Sequence, residues 1–487
     1  MHINTNFSNF KKKHKNKKNQ IIFCKSSCKN NKIIENIINN FLVKKNSFIF
    51  ESVEKRRIRG RYTIIGADPD KVWEFNKNKI DVTSNGKKKI IKKSPYTFLK
   101  KLIENFNFPL PKNLPPICSL LVGYFSYDII RYIEKIPDKC SDDLKIPDVR
   151  ILRPKTIIIH DNLLKKIYFI INCFNDEKIT NYPQYFSKQI QKLENLKNLA
   201  FKFNYKKISN KNFNNKIKVK SNISKKRFKD IVVKAKKYIK KGDVFQVVLS
   251  QRFESKLTKP PLEIYKKLRK TNPSPFMFFF NFSDFQIIGS SPEILVRLRN
   301  NKITIRPIAG TRPRGSTLKK DLFYKKQLLN DKKELSEHLM LLDLGRNDVG
   351  KVSKINSVKV TEKFKIEKYS HVMHIVSNVL GNFDNKQSLL DTMLAGFPAG
   401  TVTGAPKIRA MEIIDELEKS KRKMYAGSIG YFSANKNFDT CIALRTALIK
   451  NNKFFIQSGA GIVADSVPEN EYLETVNKAK ALINSLN

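Results

Sequence analysis

Short apolar runs separated by glycine, proline and other turn residues recur along most of the chain, and they constrain its fold more than any other feature. Runs of this kind, rich in Ile, Val, Phe and Tyr, are typical of β-strands. Between Ile33 and about Ile171 they predict an α+β arrangement with mostly antiparallel strands. Later strands are predicted in FQVVLSQRF, MFFFNF, EILVRL and KITIRPIAG. Helices are predicted at about 321–344, 387–395 and 406–419, and from Pro468 to about Leu486.

Changes in composition divide the 487 residues into four segments. Residues 1–20 are polar and Lys-rich without the apolar core of a secretory signal, so they predict a basic, disordered tail. Residues 21–173 predict an N-terminal α+β domain. Residues 174–223 are rich in Lys and Asn and predict a connector that is partly helical and then solvated. Residues 224–487 predict a second domain, which opens with an amphipathic helix beginning at Ser224.

The chain carries 95 Lys and Arg against 43 Asp and Glu, a net charge of +52. Such an excess is found in proteins that bind nucleic acid. Here the excess is mainly Lys, is spread along the chain and accompanies many Asn, Ile and Phe residues, which share A/T-rich codons. The charge is therefore explained by genome composition, and a nucleic-acid partner is not expected.

Cysteine and hydropathy patterns indicate a cytoplasmic protein. The six cysteines lie far apart, and the Cys24–Cys28 pair has no second pair with which to complete a zinc site. They are expected to be free thiols in a reducing compartment. No apolar run is long enough to cross a bilayer, so no membrane partner is expected.

Two pairs of glutamates have the spacing of one helix face. Glu334 and Glu337 form the first pair, and Glu471 and Glu474 the second. Carboxylates from two helices can converge on a hard cation such as Mg²⁺, which prefers oxygen ligands. Taken alone, such pairs more often belong to a solvated helix face.

Three glycine-containing stretches have the composition of anion-binding loops: FPAGTVTGAPKIRAMEIIDELE (397–418), RPIAGTRPRG (306–315) and SGAGIV (458–463). In the first, a turn leads into a helix whose start offers free N–H groups beside Lys407. The second and third offer arginines and backbone amides to a carboxylate. Each stretch alone is equally typical of an ordinary turn or hairpin.

The order of these stretches along the chain resembles the chorismate-utilising enzymes, and most closely the large subunits of anthranilate synthases. Other strings that carry the resemblance are FQVVLSQRF, NPSPFMFFF, GSSPEILVRL, ELSEHLMLLDLGRNDVG and YSHVMHIVSNVLG, and in the N-terminal segment FESVEKRRIRGRYTIIG and LVGYFSYDIIRYIE. The resemblance implies a layered α+β sandwich, with helices outside two stacked, mainly antiparallel sheets. It makes 21–173 the regulatory part and 224–487 the chorismate-binding catalytic domain.

The resemblance also implies a lyase reaction in tryptophan biosynthesis, in which chorismate and ammonia give anthranilate and pyruvate. Mg²⁺ is implied as cofactor, held by Glu337 and Glu474 with support from Glu334 and Glu471. Glu293 is the implied general acid for the departing hydroxyl, and His374 the group that assists pyruvate loss. Other implied pocket residues are Thr401, Lys407, Gly310, Thr311, Tyr425, Arg445, Gly459, Ala460 and Gly461.

Two positions distinguish members of this family. Isochorismate-forming members carry a lysine base where this chain has Gln246, which takes no proton at neutral pH. Many aminodeoxychorismate synthases carry a nucleophilic lysine where this chain has Ala309. Both positions favour external ammonia and anthranilate. The alternatives are an aminodeoxychorismate synthase of the lysine-free kind, and an inactive, nucleic-acid-associated binding protein with this fold.

The chain lacks a Cys/His glutaminase signature, so the resemblance implies a separate glutamine amidotransferase subunit, in a heterotetramer of two large and two small subunits. Tryptophan is the implied feedback inhibitor, held by Ser52 from FIFESVE and by Pro275, Phe276 and Met277 from NPSPFMF. Phe276 stands where the family usually has Tyr, which predicts weaker binding of tryptophan.

Overall fold

The computed structural model describes residues 3–30, 32–52, 60–84, 86–202, 217–369 and 372–486. Its helices are α1 Phe7–Lys15, α2 Lys32–Phe41, α3 Pro95–Asn105, α4 Tyr182–Phe201, α5 Lys225–Lys240, α6 Pro261–Thr271, α7 Leu318–Asn330, α8 Lys332–Gly350, α9 Leu389–Ala395, α10 Gly400–Thr403, α11 Lys407–Leu417 and α12 Pro468–Leu486. A 3₁₀ helix covers Tyr127–Tyr132.

Strands form the centre of the molecule. They are β1 Gln20–Ser27, β2 Ser47–Glu51, β3 Tyr62–Asn76, β4 Lys79–Ser84, β5 Lys87–Ile91, β6 Leu120–Phe125, β7 Val149–Asp161, β8 Lys166–Cys173, β9 Lys220–Ser221, β10 Gln246–Lys256, β11 Phe276–Asn281, β12 Gln286–Ser291, β13 Ile294–Arg299, β14 Lys302–Ile305, β15 Ile308–Pro313, β16 Lys359–Lys368, β17 Val372–Asn382, β18 Gly404–Ala405, β19 Ser428–Ser433, β20 Phe438–Ile442, β21 Thr446–Lys450 and β22 Lys453–Ile462. Antiparallel ladders connect them into one network. The α+β prediction is confirmed.

Apolar side chains divide between sheet faces and helices. One buried cluster, around Phe48, Tyr124, Phe278 and Ile429, draws mainly on strands from both halves of the chain. A second cluster joins strands to α2, α4, α6 and α12, and a third joins strands to α3, α9 and α11. The helices therefore cover the outside of the strand layers, because each has one apolar face to bury.

The helix predictions hold where caps define the ends. The Ser224 side chain accepts a hydrogen bond from the Arg227 amide at 3.1 Å and begins α5, and α12 begins at Pro468 as expected. The single helix predicted at 321–344 is instead two helices, α7 and α8. Asp331 separates them, because its extended backbone ends α7 and its side chain caps the first amides of α8.

The prediction of a disordered tail at 1–20 is wrong for the part described. Residues 7–15 form α1, and the Phe10 ring is fully buried. Phe7 and Phe10, one helical turn apart, pack against Tyr185 and Phe186 of α4. Two aromatic side chains on one face thus provide the apolar contact that the Lys-rich composition concealed.

The connector prediction has a mixed outcome. Its helical part is α4, which spans Tyr182–Phe201 and packs against α2 and β8. The solvated part falls largely on 203–216, which lies outside the described residues. Strand β9 follows and pairs with β10.

Two ladders join the predicted domains. Strand β2 pairs with β11, and β6 pairs with β19, so strands from 21–173 and 224–487 lie side by side. The division into a regulatory and a catalytic domain stays a prediction, but the hydrogen-bonded network crosses it. Among the described helices, none combines the length and apolar character needed to cross a membrane.

Candidate active site

The four predicted metal-ligating glutamates lie on two helices, Glu334 and Glu337 on α8 and Glu471 and Glu474 on α12. Burial raises the pKa of Glu337; a hydrogen bond from Gln246 opposes that rise, and the charges of Glu334 and Glu474 add to it. Carboxylates from both helices therefore interact. This arrangement confirms the helix placement, and Glu337 is near enough to Glu334 and Glu474 for their charges to affect it.

Gln246 orients Glu337 directly. Its Nε2 donates to Glu337 Oε1 at 2.9 Å from the first position of β10, while its Oε1 is buried and makes no hydrogen bond. The sequence singled out Gln246 only for lacking a basic group. Its contact with Glu337 required the tertiary structure.

Two cations pair with the glutamates, and sequence reasoning missed both. Lys478 Nζ lies 2.6 Å from Glu474 Oε1, and Arg312 Nη1 lies 2.9 Å from Glu334 Oε1. The first pair had a visible signal, since Lys478 follows Glu474 by four residues on one helix. The second joins β15 to α8 and left no signal in local spacing.

The donor set fits Mg²⁺ in its chemistry. Across the described residues, no group of three or more His, Cys, Asp or Glu side chains is arranged to hold a metal ion. Mg²⁺ is usually held by one or two carboxylates, with waters and substrate oxygens completing its shell. The mutual repulsion of Glu337, Glu334 and Glu474 is the kind of charge excess that a cation relieves.

The segment Gly459, Ala460 and Gly461 was predicted as a glycine turn but lies within strand β22. It pairs with β10, the strand that begins with Gln246. A Cβ atom on Gly461 would collide with Gln246 Nε2, and one on Gly459 would lie 2.6 Å from the Tyr425 hydroxyl. Glycine is therefore required for these side chains to pack against the strand. Lys478 Nζ also donates to the Gly459 carbonyl at 3.1 Å.

His374 lies on strand β17. Its Nδ1 is 3.0 Å from both the Gly310 carbonyl oxygen and Thr311 Oγ1. Gly310 has φ +69 and sits in the irregularity where β15 pairs with β17. Because a carbonyl only accepts hydrogen bonds, Nδ1 carries the proton and Nε2 is left as the basic atom.

Burial keeps the His374 ring neutral. It lowers the pKa of His374 to about 4; the hydrogen bond to Gly310 opposes the change and the nearby charge of Arg445 adds to it. Burial also lowers the pKa of Arg445, and the interaction with Tyr369 opposes that decrease. His374, Arg445 and Tyr369 therefore form one neighbourhood, and the imidazole is neutral near pH 7 with Nε2 unprotonated.

Glu293 is buried between β12 and β13. Its two carboxylate oxygens lie 3.2 and 3.3 Å from Thr401 Oγ1. Burial raises the pKa of Glu293 to about 8, against the opposing hydrogen bonds from Thr401 and the Ile308 amide. The carboxyl is therefore protonated near neutral pH and can donate that proton.

Lys407 is engaged away from these groups. Its Nζ lies 2.9 Å from Asp348 Oδ2, near the end of α8, and burial lowers its pKa while Asp348 opposes the change. The expected role for Lys407 in lining the pocket stays a prediction. The contact seen joins the start of α11 to α8.

The predicted inhibitor residues meet at a separate cavity of about 960 Å³. Ser52, Pro275, Phe276 and Met277 all line it. Met277 stands opposite Glu51 in the β2–β11 ladder, which explains why strings from the two segments come together.

Comparison with known proteins shows the family of the chain. The sequence profile of a family described as chorismate binding enzyme matches residues 45–484. The chain belongs to the chorismate binding enzyme family. Within this family, it is 44% identical over 488 residues to anthranilate synthase component 1 of Cereibacter sphaeroides, covering 98% of this chain and 96% of that one. The corresponding component 1 of Acetivibrio thermocellus is 43% identical, with 90% of each chain covered.

Two solved structures have the same fold as this chain. Anthranilate synthase component I from Streptococcus pneumoniae TIGR4 has a TM-score of 0.76 at 36% identity, covering 88% of this chain and 94% of that chain. The menaquinone-specific isochorismate synthase MenF of Escherichia coli has a TM-score of 0.73 at 17% identity, covering 99% of each, and shows the fold alone.

Proposed function

We propose that this chain is the chorismate-converting subunit of an anthranilate synthase, a lyase that makes anthranilate and pyruvate from chorismate and ammonia in tryptophan biosynthesis. The observation that carries the proposal is the 44% identity to an anthranilate synthase component 1 over 98% of the chain. Gln246 and Ala309, which replace the lysines of other family members, support the same product. Neither alternative, an aminodeoxychorismate synthase or a nucleic-acid-associated protein, is favoured by an observation.

The acid and the base of the proposed reaction are Glu293 and His374. Glu293 holds a proton near neutral pH and donates it to the hydroxyl that leaves as ammonia adds to the ring. His374, neutral with Nε2 unprotonated, assists the loss of pyruvate that makes the ring aromatic. Thr401 holds the Glu293 carboxyl, and Thr311 and Gly310 hold the imidazole.

Substrate carboxylates are assigned to the groups around these two residues. Arg445 and Tyr425 bind carboxylate in this proposal, with the backbone of Gly459, Ala460 and Gly461. Mg²⁺ is proposed at Glu337 and Glu474, supported by Glu334 and Glu471, where it supplies Lewis-acid and template chemistry for the ring carboxylate. Lys478 and Arg312 hold two of these glutamates in place.

A separate glutamine amidotransferase subunit is proposed as the source of ammonia, in a heterotetramer of two large and two small subunits. Glutamine hydrolysis by a cysteine requires a thiolate. Burial raises the pKa of all six cysteines of this chain, and five of them are buried. Free thiols suit a reducing compartment, and the proposal places the enzyme in the cytoplasm.

Tryptophan is proposed as a feedback inhibitor that binds in the 960 Å³ cavity lined by Ser52, Pro275, Phe276 and Met277. The apolar Phe276 and Met277 suit an indole ring. Glu51, which directly precedes Ser52 in the chain, is held by Arg269 at 2.7 Å and by the Tyr265 hydroxyl.

The deciding experiment is identification of the product by mass after incubation with chorismate, Mg²⁺ and ammonium. Anthranilate together with pyruvate is expected. A product that keeps the enolpyruvyl group would indicate the aminodeoxychorismate alternative. Salt-sensitive retention on DNA without chorismate turnover would indicate the nucleic-acid alternative.

A further inference from the structure

The cavity and the candidate active site share a wall. Pro292, Ile308 and Tyr369 line the cavity. Pro292 directly precedes Glu293 in the chain, and the Ile308 amide donates to the Glu293 carboxyl. The Tyr369 ring centroid lies 5.5 Å from that of His374, with an interplanar angle of 63°. A side chain of the cavity wall is thus in edge contact with the proposed base.

Tyr369 is held in this position by Glu367. The tyrosine hydroxyl donates to Glu367 Oε2 at 2.9 Å, and Arg306 Nη2 donates to Glu367 Oε1 at 2.8 Å. Arg306 also lines the cavity. One carboxylate therefore joins two side chains of the cavity wall.

The backbone ties the same group to His374. Glu367 stands opposite His374 in the β16–β17 ladder, and the Tyr369 amide donates to the Val372 carbonyl at 2.8 Å. Tyr369 and His374 thus lie on the two arms of one hairpin. A displacement of the Tyr369 ring cannot occur without changing the contact surface of the imidazole, because close-packed groups transmit small shifts.

We propose that Tyr369, held by Glu367 and Arg306, is the positioning residue that couples occupation of the cavity to the His374 imidazole. This inference rests on the proposed function, which makes His374 the base and the cavity the tryptophan site. A ligand in the cavity contacts Tyr369 and Arg306 and displaces the ring. Proton transfer tolerates misplacement of only about 0.5 Å, so the displaced imidazole loses its working position.

The coupling has a defined signature. Inhibition requires that tryptophan binds in the cavity and that this binding changes the position of His374. Only the second requirement depends on Tyr369 and Glu367. Breaking the link leaves a protein that binds tryptophan but is weakly inhibited by it. A residue that merely supports the cavity would instead alter binding and inhibition together.

The test uses Tyr369→Phe, which removes the hydroxyl bonded to Glu367 and keeps the ring beside His374, and Glu367→Ala, with Glu367→Gln as the conservative variant. Glu362→Ala is the matched control, because Glu362 accepts from the same Arg306 Nη2 at 3.1 Å and also lines the cavity. Tryptophan affinity is measured by calorimetry. Inhibition is measured on ammonium-dependent anthranilate formation by the full-length chain.

For Tyr369→Phe and Glu367→Ala, the tryptophan Kd is expected to stay near that of the unmodified protein, while the half-inhibiting concentration rises roughly tenfold, within the usual range of coupling factors. Glu367→Gln, which still accepts hydrogen bonds, is expected to fall between. Glu362→Ala, which changes the cavity wall outside the Glu367–Tyr369 contact, is expected to keep the half-inhibiting concentration in step with Kd. If the half-inhibiting concentration still follows Kd in both Tyr369→Phe and Glu367→Ala, this inference is overturned and the proposed function stands. An unmodified protein that forms no anthranilate would overturn the proposed function, and the inference with it.

Discussion

Lys478 Nζ lies 2.6 Å from Glu474 Oε1, one turn earlier on α12. The Lys478 ammonium also donates to the Gly459 carbonyl. It therefore links Glu474, a proposed metal ligand, to strand β22. Its charge also lowers the pKa of Glu337 on α8, as one of the smaller contributions there. The carboxylates of the two helices are thus balanced in part by the protein itself, and a metal ion bound there has to exchange with Lys478 for Glu474.

Glu337→Gln and Glu474→Gln are each expected to weaken Mg²⁺ binding by on the order of 100-fold and to remove most anthranilate formation, because a neutral amide replaces a charged ligand. Calorimetric titration with Mg²⁺ and ammonium-dependent turnover measure the two effects. Glu416→Gln, an exposed change on α11, is the control and should behave as the unmodified protein. Full activity without Mg²⁺ in either site variant would refute the metal assignment.

Glu293 predicts a pH dependence of both rate and stability. As the pKa of Glu293 is about 8 in the folded protein, its capacity to donate a proton falls as pH rises through about 8, and the rate should fall with it. In the unfolded chain the Glu293 carboxyl ionises with its ordinary pKa of 4.5. The contribution of Glu293 to the free energy of unfolding is therefore fully present below pH 4.5 and is lost as pH rises towards 8.

Glu293→Gln is accordingly expected to abolish turnover and to flatten the stability profile between about pH 4.5 and 8. Denaturant midpoints measured across that range, compared with those of the unmodified protein, check the second effect. A profile as steep as that of the unmodified protein would show that Glu293 is not the buried neutral acid described here.

His374→Ala is expected to slow pyruvate loss more than amination, so that the aminated intermediate accumulates. The reason is that the neutral Nε2 serves the second step and leaves the addition of ammonia to other groups. Quenched reactions followed by mass show whether the intermediate builds up. His160→Ala, a buried histidine on β7, controls for general destabilisation. Normal anthranilate output without the intermediate would contradict the assigned role.

Ser52→Arg is expected to relieve tryptophan inhibition while turnover without tryptophan stays near normal. The long side chain would occupy part of the cavity that Ser52 and Phe276 line, and neither Glu293 nor His374 is among the described lining residues. Initial rates at increasing tryptophan measure the change, and Ser26→Arg at the end of β1 is a charge-matched control. Unmodified protein that saturating tryptophan does not inhibit would show that this regulatory assignment fails while the catalytic one stands.

Glu418→Gln is expected to destabilise the fold by about 3–5 kcal/mol, the range for breaking a buried ion pair. Arg422 Nη2 lies 2.6 Å from Glu418 Oε1, and both side chains are at most 5% exposed. Asp343→Asn, which breaks the exposed pair with Arg346, should cost about 0–1 kcal/mol. Free energies of unfolding from denaturant titrations compare the two, and similar losses would contradict the assigned difference.

The sequence predicted features that local spacing encodes. Glu334 and Glu337 share a helix face because they are three residues apart. The Ser224 cap and the proline at 468 marked two helix starts. Contacts between distant segments had no such signal. Arg312 reaches Glu334 only because β15 runs beside α8, and α1 is ordered only because α4 offers aromatic partners for Phe10.

The assignment of His374 to a strand illustrates the same limit. Its apolar neighbours in the sequence suit a helix or a buried strand equally, and the ladders with β15 and β16 decide between them. The position of Tyr369 between the cavity and His374 also depends on the pairing of β16 with β17. No periodicity in the sequence reports it.

The β2–β11 and β6–β19 ladders have a consequence for how such an enzyme can lose its regulation. Deleting the N-terminal segment would expose one edge each of β11 and β19, and unpaired strand edges favour aggregation. The inhibitor cavity is built from both sides of that junction, by Ser52 and Pro275. A point substitution in the cavity can therefore remove the proposed feedback inhibition and keep the sheet intact, whereas loss of the whole segment would also remove two strand pairings.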